Sequence, residues 1–378
     1  MRNNPLKALA ALGQSVWLDY IQRKIISSGE LRQLIEEDGL TGITSNPSIF
    51  QKAIAGSDDY DQDIRAMTLE GQGVKEIYDA LSVKDVQSAA EELHSVYVTT
   101  DGHDGYVSLE VNPHAAHDTE ATVTEAHRLW AAVNRPNLLV KVPATKEGLP
   151  AIQRLISEGI NVNVTLLFGL SRYREVVEAY LAGIEARTAR GLPVKRVASV
   201  ASFFVSRIDT LLDPQLESRS AKDSDQEALA RSLRGKVGIA SAKLAYQIYK
   251  EIFASQRFER LAERGARHQR LLWASTSTKN PAYSDVKYVE ELIGANTVNT
   301  LPMETLHAYR DHGDPRIRLE ADIEEARSML ERLHEFGIDI DQTALQLEDQ
   351  GVDKFNQALD ELIATLAEES SRYAASAE

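Results

Sequence analysis

The sequence predicts an α/β protein built on a single (β/α)8 TIM barrel with additional C-terminal helices, and three observations carry that reading. Short apolar, β-branched runs recur along the chain, stretches with helical spacing separate them, and several of the runs place a polar residue at every second position. A doubly wound open sheet shares the alternation of strand and helix. A half-exposed antiparallel strand shares the polar alternation, but a series of such strands interleaved with helices is harder to explain that way. In a barrel the polar row points inward near the C-terminal ends of the strands, where barrel enzymes place their chemistry.

Taken in order, the first strand candidate covers 15–19 and aligns Trp17 with Asp19. The second, 41–46, aligns Thr44 with Asn46. In 106–112, Ser108, Glu110 and Asn112 oppose Val107, Leu109 and Val111. The fourth, 138–143, carries Lys141 in line with Leu139 and Pro143, and in 160–166 Asn161, Asn163 and Thr165 oppose Val162, Val164 and Leu166. The last three cover 196–204, with Ser202 in line with Phe204, then 270–276 and 296–301. Helical spacing is clearest at 74–97, 120–133, 169–188, 226–254 and 283–293. The charged stretch from Asp213 to Glu227 reads as an exposed loop before a long helix. Residues 320–369 are rich in Ala, Leu and Glu, with Gly337 and Gly351 as breaks, and read as helices packed outside the barrel. The expectation is one domain, 1–378, with 320–378 as peripheral helices.

Composition narrows the function. There is no cysteine, which excludes disulfides, thiolate nucleophiles and Cys-based zinc sites. The balance of 42 basic against 57 acidic residues, −15 in all, argues against nucleic acid or an anionic membrane as partner, so an anionic substrate needs a local basic pocket. No apolar run reaches the ~20 residues that span a bilayer, and the N-terminus lacks the pattern of a signal peptide, so a cytoplasmic location is expected. No phosphate-binding glycine loop or dinucleotide fingerprint follows a strand, and no cofactor is expected. His114 and His117 have metal-like spacing, but they follow Pro113 in a loop with no further ligands in evidence. The expectation is a helix start and no metal.

Lys141 stands out because it interrupts the run Leu138-Leu139-Val140-Lys141-Val142-Pro143. A lysine in a buried strand loses hydration, which it recovers from partners or by losing its proton. Lysine ordinarily titrates near pH ~10.4, and desolvation brings the amine toward neutrality and frees its lone pair. A neutral amine condenses with a ketone to a Schiff base, which accepts the electrons of a breaking carbon–carbon bond. The plainer alternative is a lysine that snorkels from a strand end or pairs in a structural ion bridge.

Five segments in order resemble the transaldolase family: Thr44-Ser45-Asn46-Pro47-Ser48, Glu110-Val111, Val140-Lys141-Val142-Pro143-Ala144-Thr145, Asn161 to Phe168, and Ser202-Phe203-Phe204-Val205-Ser206-Arg207. The resemblance runs from about Trp17 to Pro302, and the C-terminal part is similar to the longer subgroup. It implies a class I Schiff-base transferase of the non-oxidative pentose phosphate pathway. Such an enzyme moves a dihydroxyacetone unit from sedoheptulose 7-phosphate or fructose 6-phosphate to glyceraldehyde 3-phosphate or erythrose 4-phosphate. By position, the resemblance makes Lys141 the nucleophile, Asp19 the acid/base at the C4 hydroxyl, and Glu110 with Thr165 the holders of a catalytic water. It puts Thr44, Asn46, Asn163, Ser202 and Phe204 on the substrate and Arg207 on its phosphate. Lys279 stands where the family often carries arginine. A fructose 6-phosphate aldolase is the nearest alternative, but that shorter subgroup typically has Gln at the Glu110 position and Tyr at the Phe204 position. A noncatalytic sugar-phosphate binding protein is the other alternative, and binding alone needs no buried nucleophile. The expected partners are phosphorylated sugars, and the expected assembly is a monomer or homodimer.

Overall fold

A computed structural model describes residues 4–220 and 224–376. Eight parallel strands close into a barrel in chain order, β1-β2-β3-β4-β5-β6-β7-β8. They are β1 Gln14–Leu18, β2 Leu40–Ile43, β3 Tyr106–Glu110, β4 Leu138–Pro143, β5 Val162–Leu167, β6 Ser199–Phe204, β7 Arg270–Ala274 and β8 Thr297–Leu301. Closure is made by β1 on β8, from Gln14 opposite Thr297 to Leu18 opposite Leu301. The open-sheet alternative is thereby set aside. The strand ends differ from the sequence reading by a few residues, because strand pairing stops where the chain turns into its loops.

The interior is layered. At the N-terminal end of the barrel Asp104 accepts hydrogen bonds from Trp17 Nε1 at 2.9 Å, from Ser15 Oγ at 2.5 Å and from Arg270 at 3.1 Å. This knot leaves no charge unpaired beneath the site. Gly42 faces Trp17 across the β1–β2 pair, and a Cβ built on it would lie 2.5 Å from the indole. Only glycine lets the second strand pass the ring at that level. Above it, Asn163 Nδ2 donates to Ser108 Oγ at 3.0 Å and Asn163 Oδ1 accepts from Ser202 Oγ at 2.7 Å, linking β3, β5 and β6.

The helices form the outer layer, including Val74–Glu92, Thr119–Val133, Gly148–Glu158 and Leu170–Ala189. Four readings need correction, the last of them Gly351 in the C-terminal region. The charged stretch from Asp213 to Glu227 is not an exposed loop: Ser206–Ser220 and Ser224–Leu233 are helices, with 221–223 outside the described residues. The apolar spacing Ile208, Leu212, Leu216 anchors the first of these, and Asp213, which looks solvated in the sequence, accepts hydrogen bonds from Gly235 N at 2.8 Å and Tyr283 Oη at 2.7 Å. The expected helix 226–254 is two helices, ending at Leu233 and restarting at Val237, because Gly235 turns the chain at φ 69°. The expected helix 283–293 shrinks to the single turn Lys287–Glu290; Tyr283 Oη donates to Asp213 at 2.7 Å and Tyr288 Oη to Asp209 at 2.8 Å, tertiary partners that local helical spacing does not show.

The C-terminal region forms the helices Ile323–Arg332 and Ile340–Ala375. Gly337 ends the short turn before the last helix, with φ 63°. Gly351 does not interrupt that helix. It leaves room for Leu166, whose Cδ2 would sit 2.8 Å from a Cβ at 351. Leu166 itself has φ 55° and lies at a register irregularity in β5, so a bulge aims it at the helix.

Gly42→Ala is expected to lower stability by about 1–3 kcal/mol, because neither strand nor indole has room to yield. Urea unfolding of the variant checks this; an unchanged midpoint and slope would show that the strands separate more easily than the packing implies.

Candidate active site

A cavity of about 620 Å3 opens at the C-terminal end of the barrel. Lys141 reaches it from the middle of β4, only 4% exposed, and its Nζ donates to the Ser45 carbonyl at 3.0 Å. Glu110, the register partner of Lys141 on β3, brings Oε2 to 3.4 Å from that nitrogen. The pair lies side by side because equivalent positions of neighbouring parallel strands share a face. Glu110 makes no hydrogen bond through either oxygen, and Thr165 Oγ1, beside Lys141 on β5, is buried without a partner as well. These three buried oxygens, on the strands either side of the one that carries Lys141, are free to accept further hydrogen bonds.

Burial pushes the Glu110 carboxyl up to about 7, against the pull of the Lys141 ammonium. Asp19, just past β1, is also raised by burial, and Lys141 and the hydrogen bond from Thr44 Oγ1 at 2.7 Å work in the opposite sense. Thr44 meets Thr300 at 2.7 Å between the hydroxyls, so β1, β2 and β8 converge on one carboxylate. Two carboxyls with raised values on either side of an amine suit proton transfer near neutral pH.

Asn46 lines the cavity and caps the helix Pro47–Ala55 by accepting from Ile49 N at 3.0 Å, which leaves its NH2 group as a donor for a ligand. Ser202 and Phe204 line the wall, and Phe168 packs on Phe204 with ring centroids 5.1 Å apart. Asn163 and Thr165 sit deeper, at 0% exposure, in the wall around Lys141 rather than on the lining. Arg207 opens the helix Ser206–Ser220, with its guanidinium carbon 5.2 Å from the Phe204 ring centroid. That helix is held by Asp209, which accepts from Gly238 N and Tyr288 Oη, each at 2.8 Å. Lys279 lies on the rim and donates to Ser277 Oγ at 2.6 Å.

Two cations of the rim were not singled out from the sequence. Lys52 lies one turn into the helix after β2, and Lys354 lies on the C-terminal helix. Arg207 first, then partial burial, then Lys279 and Lys52 hold the Lys354 ammonium below its ordinary range. Among the described residues none of these four cations has an ion-pair partner, although acidic residues dominate the chain. Helical position alone marks neither lysine, since it does not say which helix face meets the cavity. Phe355, also unforeseen, places its ring centroid 5.9 Å from Lys141 Nζ. By contrast His114 and His117 bond to different carboxylates, Asp360 at 2.9 Å and Glu147 at 3.3 Å, and no cluster of three potential metal ligands occurs among the described residues.

The family model for transaldolase/fructose-6-phosphate aldolase matches residues 16–366. The chain belongs to that family. Among its relatives are a transaldolase of Trichodesmium erythraeum, 50% identical over 372 residues that make up 97% of this chain and 98% of the other. A transaldolase of Saccharopolyspora erythraea is 49% identical over 97% of this chain and 98% of its own. One from Thiobacillus denitrificans is 48% identical over 96% and 99%. The match of the family model continues to 366, and so takes in the transaldolase-like C-terminal helix with Lys354 and Phe355.

Glu110→Gln removes a carboxyl that is harder to ionise in the folded chain than in the unfolded one. Between pH 4.5, its ordinary value, and about 7 the folded state holds a proton that the unfolded state has released, so this group makes the wild type less stable as pH rises through that window. The stability of the variant relative to wild type is expected to climb by up to about 3 kcal/mol from pH 4.5 to 7 and to level off above it. Urea melts across that range check the trend; a difference independent of pH would show that Glu110 is no harder to ionise when folded.

Proposed function

We propose that this chain is a cytoplasmic transaldolase of the non-oxidative pentose phosphate pathway that carries a dihydroxyacetone unit on Lys141. The donors are fructose 6-phosphate and sedoheptulose 7-phosphate, and the acceptors glyceraldehyde 3-phosphate and erythrose 4-phosphate. The observation that carries the reading is one buried amine, 3.4 Å from one buried carboxyl, at the floor of a cavity lined by four cations, none of them in an ion pair among the described residues. The amine supplies the nucleophile and the rim receives a phosphate dianion.

In this reaction Lys141 Nζ adds to the C2 ketone of the donor. A water held by Glu110 and Thr165 relays protons as the carbinolamine loses its hydroxyl, and their orphaned oxygens are the support for that role. Asp19 takes the proton from the C4 hydroxyl, the C3–C4 bond breaks, and its electron pair flows toward the iminium nitrogen. The aldose phosphate departs and an acceptor aldehyde enters, after which the same steps run in reverse. Asn46 orients the hydroxyls of the three-carbon unit, Asn163 holds Ser202 in place from behind the lining, and Thr44, Ser202 and Phe204 shape the wall. Arg207 offers a planar fork to the phosphate, while Lys279, Lys52 and Lys354 add point charges. All of these groups come from one chain, so a monomer suffices and a homodimer is compatible.

Glu110 and Phe204 stand where the aldolase subgroup resemblance places Gln and Tyr, which favours transfer over release of free dihydroxyacetone. A protein that merely bound sugar phosphates would have no use for the buried Lys141.

Borohydride reduction in the presence of fructose 6-phosphate is expected to fix a dihydroxyacetone mass on the Lys141 peptide, and erythrose 4-phosphate is expected to discharge it. An absent adduct in folded protein that binds the sugar phosphate would overturn the mechanism. Lys354→Met is expected to raise KM for fructose 6-phosphate about tenfold with kcat changed less than threefold, since a rim charge serves binding in ground and transition states alike. Steady-state kinetics check it; an unchanged KM would remove Lys354 from the phosphate site.

A further inference from the structure

The mechanism leaves Phe355 without a task, yet its placement is specific. It lies on the C-terminal helix Ile340–Ala375, is 2% exposed, and belongs to the cavity lining. Its ring centroid is 5.9 Å from Lys141 Nζ, within the range of a cation–π contact. Gly351, Phe355, Ala358 and Leu362 fall at spacings of four, three and four, and all are buried, so a single helix face is turned to the barrel. The seat of that face is fixed by contact between Gly351 and Leu166, the residue after Thr165. The helix therefore sets an aromatic ring against the one amine on which the intermediate would be carried.

We propose that Phe355 determines the fate of the Schiff base, by keeping bulk water from the three-carbon unit on Lys141 so that an acceptor aldehyde discharges it rather than hydrolysis. This rests on the Lys141 reading of the site and adds to it. Once the aldose phosphate has left, the lysine-bound unit is an enamine. Hydrolytic loss takes a proton at C3 from solvent to give the iminium. Water oxygen then adds to C2, and the C2–N bond breaks with its electron pair and a proton going to the amine. The products are free dihydroxyacetone and regenerated Lys141, with one water consumed. The water between Glu110 and Thr165 serves the carbinolamine steps of both ketoses; the hazard is solvent entering through the mouth the aldose has vacated. An aromatic ring at the Lys141 amine excludes that solvent and offers no proton.

The test compares wild type, Phe355→Ala and Phe355→Leu with fructose 6-phosphate. Free dihydroxyacetone is measured in the absence of acceptor, and transfer is measured with erythrose 4-phosphate. Phe355→Ala is expected to raise the ratio of hydrolysis to transfer about tenfold, and Phe355→Leu, which keeps apolar bulk, less than threefold. A merely structural residue would lower both rates together and leave their ratio fixed. If Phe355→Ala does not fold, Phe355→Val replaces it, with the same direction expected. An unchanged ratio in a folded variant that still forms the borohydride-reducible Lys141 adduct overturns this inference alone. An absent adduct in the wild type overturns the Lys141 reading and this inference with it.

Discussion

The structure depends on keeping one amine and one carboxyl together out of water. Lys141 and Glu110 face each other across adjacent strands at 3.4 Å, with side-chain exposures of 5% and 3%. Desolvating two charges is costly, and their attraction offsets it only if geometry and supporting hydrogen bonds are good. Here the support is incomplete by design of the site: Lys141 has the Ser45 carbonyl, but Glu110 has no other partner. The pair is tolerated because the layers beneath it are rigid. The Asp104 knot closes the lower barrel, and the Ser108, Asn163 and Ser202 chain ties three strands at the level of the pair. The hydrogen-bonded lower barrel holds in place an upper layer in which Lys141 and Glu110 face each other.

Charge is distributed with similar economy. A chain of net −15 repels phosphates at long range, yet its mouth gathers Lys52, Arg207, Lys279 and Lys354, none of them in an ion pair among the described residues. Crowding of like charges is unfavourable in the free protein and would be relieved by a bound anion. Each cation comes from a different part of the chain: after β2, after β6, after β7 and from the last helix. The barrel brings these distant segments to one rim because every strand ends there.

Much of this was legible in the sequence. Strand candidates at every position, the inward row and the central place of Lys141 follow from a period of two and from the rarity of a charge inside an apolar run. The errors cluster where tertiary partners override local composition. Asp213 looks like a loop residue until Gly235 and Tyr283 claim it, and the stretch near Tyr288 looks like a longer helix than the single turn that forms beside Asp209. Gly351 reads as a helix breaker because its partner, Leu166, lies nearly two hundred positions away in a strand bulge. Lys354 and Phe355 were invisible for the same reason, since helical periodicity says which residues share a face but not what that face meets.

Closure of the barrel also has a consequence for how the chain comes to life on the ribosome. The first strand finds its second neighbour only when Thr297 to Leu301 have been made, and the last helix follows later still. At roughly 5–20 residues per second, the nascent protein spends many seconds with its first strands exposed and one sheet edge open. During that interval Lys141 and Glu110 remain in contact with solvent, and the burial that later raises the Glu110 carboxyl is not yet in place. The aromatic ring of Phe355 is among the last groups to arrive. Lys141 is thus enclosed only when synthesis is nearly complete, once the last helix has brought Phe355 to within 5.9 Å of its amine.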